Sequence, residues 1–86
     1  MSLQLTKCNI LKIQARFAIK HLALPQDVSV AVYSAIGNVS MPFSDFYNKT
    51  DKEIVTAFIS LAMAGMKDMK YKYTREIEKC LRETLI

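Results

Sequence analysis

The residues able to do chemistry are few and far apart. His21 is the single histidine, and no cysteine or acid stands near it at ligand spacing, so it reads as a structural side chain. Glu76 and Glu78 lie two apart and do not share a helix face, and Asp51 and Glu53 are accounted for by a helix start. Neither couple makes a general acid/base pair. No serine sits in a nucleophile-elbow setting and no glycine-rich loop is present to cradle phosphate. Cys8 and Cys80 stand near opposite ends, with no metal or redox spacing between them. They read as free, half-buried thiols of a reducing compartment. The expectation is a cytoplasmic protein that is not an enzyme and uses no metal or cofactor.

Charge is the stronger signal. Twelve Lys and Arg against eight Asp and Glu give a net charge of +4, which favours acidic partners. Lys7, Lys12, Arg16 and Lys20 all precede the first acid, Asp27. The later basic residues are interleaved with Asp68, Glu76, Glu78 and Glu83, the pattern of a solvated helix face with local ion pairs. Within that set Lys67, Lys70, Tyr71, Lys72 and Arg75 mix cations with aromatic rings able to stack on bases, an alternative nucleic-acid contact.

The elements that must position these residues read as helices. From 3 to 23 the projection at about 100° per residue puts Asn9, Lys12, Arg16 and Lys20 on one polar stripe. Gln14, His21 and Lys7 form a narrower stripe nearly opposite. Between them lie two apolar faces, Ile10, Ile13, Phe17 and Leu24 on one and Leu11, Ala15, Ala18 and Leu22 on the other. A surface helix needs only one apolar stripe. Two predict a helix sandwiched between neighbours, one of which can come from another subunit.

Pro25 and Asp27 open a second segment, 25–36, that fits a helix ended by Gly37 better than a strand, although Val28, Val30 and Val32 also alternate. Ser40, Met41 and Pro42 suggest a short helical turn near 42–47, with Phe43, Phe46 and Tyr47 as packing aromatics. Thr50-Asp51-Lys52-Glu53 is a capping box, the firmest local signal in the chain. Behind it, Ile54, Phe58, Ala62, Gly65, Met69, Tyr73, Ile77, Leu81 and Leu85 recur every three or four residues. That spacing predicts one long helix over 51–84 with Gly65 as its doubtful joint, and Ala57, Ser60 and Ala64 as a small-residue stripe for a close neighbour. The apolar run 54–66 is too short to cross a membrane.

The stretch Ala35-Ile36-Gly37-Asn38-Val39-Ser40 resembles the turn of phage-repressor-like helix-turn-helix domains. The resemblance implies DNA binding, but this chain departs from the pattern. Tyr33 stands where a small residue belongs, and the segment that would read bases holds Pro42 and Asp45 with no cation before Lys49.

Together these features predict a single all-α domain over residues 1–86, built of three helices with a long C-terminal one. The chain is small for its 51% hydrophobic content, so an apolar face is expected to meet a partner. The expected function is a small regulator, adaptor or inhibitor that binds another protein, or its own copy as a homo-oligomer, through Lys12, Arg16, Lys20, Ile13 and Phe17. A small basic nucleic-acid-binding regulator is the alternative.

Overall fold

A computed structural model describes the backbone of residues 3–41, 44 and 48–86, and the side chains from Lys7 onward among them. It is all-helical over these residues: α1 (Leu3–Lys20), α2 (Gln26–Gly37), α3 (Asp51–Gly65) and α4 (Tyr71–Leu85). The expected helical turn near 42–47, with Phe43, Phe46 and Tyr47, lies outside the described residues apart from Ser44. Each helix packs on the next in chain order, and α4 closes back on α1 in the most extensive of the four contacts.

Local chemistry explains the boundaries. α1 stops at Lys20, short of the expected residue 23, and the chain leaves it through a tight Leu22 N–H to Ile19 carbonyl bond of 2.9 Å. Ala23 then takes a left-handed φ of 51°, turning the backbone toward Pro25. Pro25 sits just ahead of α2, and its carbonyl accepts from Ser29 N–H at 2.9 Å. The valines of 28–32 are helical, so their alternation carries no strand. At the start of α3 the capping box is complete: Glu53 N–H donates to Thr50 Oγ1 at 3.2 Å, and Thr50 N–H donates to Glu53 Oε1 at 2.8 Å.

The expected long C-terminal helix is two helices. Unbroken from Asp51 to Leu85 it would measure about 52 Å at 1.5 Å per residue, whereas the longest dimension of the molecule is 37 Å. A rod of that length would leave its second half without a core. The break follows Gly65, the poorest helix former of the run, worth about 1 kcal/mol against alanine. Gly65 also lets α3 press on α2, since a Cβ there would stand 3.2 Å from Ala35 Cβ. The following Met66 is buried, and Met66 N–H to Met63 carbonyl and Met69 N–H to Met66 carbonyl bonds, both 3.0 Å, hold the turn. α4 then folds back, and Ile77 and Leu81 become fully buried.

One core draws on all four helices: Leu11, Ala15 and Ile19 of α1, Val32 and Ile36 of α2, Phe58, Ile59 and Ala62 of α3, with Ile77 and Leu81 of α4. Met69, Tyr73 and Leu85, named by the same spacing, pack against it partly buried. The small-residue stripe behaves differently, since Ser60 and Ala64 face solvent and the close approach is made at Gly65. Cys8 and Cys80 are both free.

α4 begins without a cap. Lys70 holds the N-cap position with an extended backbone, and its side chain makes no capping bond. Lys70→Asn supplies the missing acceptor for a first-turn N–H and should add about 1 kcal/mol. In a chain of this size that raises Tm by roughly 4–8 °C in a thermal melt; an unchanged Tm would contradict the assigned start of α4.

Candidate binding face

The direction of α1 decides what the molecule shows to solvent. Leu11, Ala15, Ala18 and Ile19 point inward and are buried. On the opposite side, with no element of the described chain over them, Ile10, Ile13 and Phe17 are 44%, 52% and 63% exposed. The second apolar face of the first helix is therefore uncovered among the described residues. Its fourth expected member, Leu24, lies beyond the helix end and packs against the core.

Phe17 forms a ridge with a groove on each side. The groove toward α2 encloses about 490 Å³ and is lined by Ile13, Arg16, Phe17, Lys20 and Tyr33. The groove toward α4 encloses about 370 Å³ and is lined by Gln14, Phe17, Ala18, His21, Cys80 and Thr84. The floor of the second is drawn tight where Cys80 Sγ donates to the Ala18 carbonyl at 3.3 Å. Its lining holds no Lys, Arg, Asp or Glu, whereas the first groove carries two cations, Arg16 and Lys20.

The basic stripe of α1 lies over the carboxyl end of α2. Lys12 Nζ donates to the Gly37 carbonyl at 3.0 Å. Arg16 passes over the same residue, with a guanidinium nitrogen 3.2 Å from where a Gly37 Cβ would be. The last carbonyls of a helix carry partial negative charge, which favours cations there. Lys12 thus serves as a cap for α2, while Arg16 and Lys20 remain exposed beside Ile13 and Phe17. All five residues expected from the sequence stand on this side of the molecule. Tyr33, half-buried on α2, completes the groove wall, and no pattern in the sequence pointed to it.

The alternative cluster gathers around the start of α4. Tyr71 is 74% exposed, with the Arg75 guanidinium 5.4 Å from its ring centroid. Lys72 Nζ lies 5.0 Å from the ring of Tyr73, which packs against the core. Lys67 and Lys70 are exposed in the preceding turn. Farther along α4, Arg82 pairs with Glu78 at 2.9 Å, one turn away, as the interleaved charges suggested. Among the described residues no three His, Cys, Asp or Glu side chains come together. No helix described is long and apolar enough to cross a membrane.

Gly37 offers a check on this geometry. Its φ is not positive, so no backbone strain calls for glycine there. The only atom a new Cβ would crowd is the far end of the Arg16 side chain. Gly37→Ala should therefore leave stability unchanged or raise it by up to about 1 kcal/mol, read from urea denaturation; a loss of that size would place Gly37 in a different role. The chain matches no family model, no curated protein and no solved structure.

Proposed function

We propose that this protein works by binding, without catalysis, and that the outer face of α1 is the surface it presents to another protein. The observation that carries the reading is the exposed run Ile10, Ile13 and Phe17, opposite the core and bordered by Arg16 and Lys20. Each of these side chains has lost only part of its contact with water. Covering it would recover roughly half of the 1.5–3 kcal/mol that full burial of such a residue is worth. An apolar surface rimmed by polar groups is the ordinary signature of an interaction site. A regulator, adaptor or inhibitor fits this surface, and a second copy of the chain is one partner that could cover it.

A second reading rests on Tyr71. Its exposed ring, with the Arg75 guanidinium 5.4 Å from its centroid and Lys67, Lys70 and Lys72 close by in the sequence, suits stacking on a nucleobase. Binding of that kind falls steeply with added salt, whereas apolar contact along α1 should lose only the smaller share carried by Arg16 and Lys20.

Ile13→Ser with Phe17→Ser is the decisive variant, because both side chains are exposed and the fold does not depend on them. Affinity purification from the native cells should recover a protein with the parent chain that the double variant loses, while circular dichroism shows both folded. Light scattering on the same two proteins identifies the case where the partner is a second copy. Identical partners for parent and variant, and a monomer in both, would remove the reading.

A further inference from the structure

Resting on the α1 face as a binding surface, we infer that its occupant is an amphipathic helix of another protein, with acidic residues along one edge of its apolar stripe. The spacing sets the first half of that statement. Ile10, Ile13 and Phe17 stand at i, i+3 and i+7 and are exposed over two turns; Ile13 and Phe17 wall the groove toward α2, and Phe17 also walls the groove toward α4. A helix carrying apolar residues at the same spacing lays its own ridge into such a groove.

Charge sets the second half, and it does so on one side only. The groove toward α2 has Arg16 and Lys20 on its rim. The groove toward α4 has Gln14, His21 and Thr84 in the corresponding places. Lys12 is already engaged with the Gly37 carbonyl, so Arg16 and Lys20 are the cations left for a partner on this rim. The 18 residues of α1 hold no acid, and α2 holds one, Asp27, in its first turn.

The same asymmetry disfavours a second copy as the occupant. A symmetric pair joined through α1 presents the same patch from both sides. If the two helices run antiparallel, Arg16 and Lys20 meet Arg16 and Lys20. If they run parallel, those cations meet Gln14 and His21. Neither arrangement sets a carboxylate of α1 opposite them, since that helix holds none, and the first sets like charges together. A partner helix with Glu or Asp on the edge facing α2 satisfies both cations while its apolar stripe covers Phe17.

Three synthetic helical peptides test this, sharing one apolar stripe and differing only at the flanking edge, which carries Glu, Gln or Lys. Titrated into the isotope-labelled protein and followed by amide shifts, the Glu peptide should perturb α1 and bind about tenfold more tightly than the Gln peptide. That factor corresponds to two exposed charge pairs. The preference should shrink as salt rises. The Arg16→Glu, Lys20→Glu variant should reverse it and select the Lys peptide. Equal affinity for all three, abolished by Phe17→Ser, would overturn the charge rule while leaving the binding face intact. No shift in α1 with any peptide would overturn the proposed occupant, and if the Ile13→Ser, Phe17→Ser variant also keeps every native partner, the face itself fails. Saturable binding to anionic phospholipid vesicles with no peptide bound would replace the helix by a membrane surface. Dimerisation at micromolar concentration that Phe17→Ser abolishes would replace it by a second copy.

Discussion

The structure depends on the close seating of α1 between α2 and α4. Its inward side sets Ala15 and Ala18 between the larger Leu11 and Ile19. Where the alanines stand, neighbouring backbones can come near, and the Cys80 thiol reaches the Ala18 carbonyl. Ala15 has no exposed surface at all. Once this side is buried, the helix has no rotational freedom left, and Ile10, Ile13 and Phe17 must face outward. A larger residue at position 15 or 18 would have to push α4 or α2 away, because a packed core has little slack to absorb it. The binding face is thus a consequence of the same small residues that close the core.

Polar interactions refine this arrangement and do not set it. The Lys7–Asp51 pair at 3.0 Å and the Glu78–Arg82 pair at 2.9 Å are exposed, and such pairs contribute about 1 kcal/mol at most. The contact of Lys12 with the Gly37 carbonyl is different in kind. It ties the middle of α1 to the end of α2 and lies in a half-buried position. It also divides the basic stripe into one residue that serves the fold and two, Arg16 and Lys20, that border the groove. The exposed apolar ridge and its one-sided charge therefore arise from a single packing decision.

The all-helical character and most of the core could be read from residue spacing. The capping box marked the start of α3 because its two side chains have only one geometry in which both N–H groups are satisfied. The start of α4 could not be read, since Lys70 is no capping residue and no proline or acid follows it in the first turn. The apolar spacing keeps its phase across residues 66–70, so it marks Ile77 and Leu81 as core residues without revealing the break between Gly65 and Tyr71. The excess apolar face of the first helix was equally visible. Where Tyr33 would stand beside that face was not, because it depends on how α2 crosses α1. Gly37 was legible as an end of α2, but its meeting with Lys12 and Arg16 needed the tertiary structure.

The central claim is that one apolar face of α1 is open to solvent while the other is sealed in the core. It can be measured on the unmodified protein from the isoleucine methyl signals, using a soluble paramagnetic gadolinium chelate. The account predicts strong relaxation of the Ile10 and Ile13 methyls, with those of Ile19, Ile36, Ile59 and Ile77 protected. An Ile13 methyl shielded as fully as that of Ile19 would contradict it.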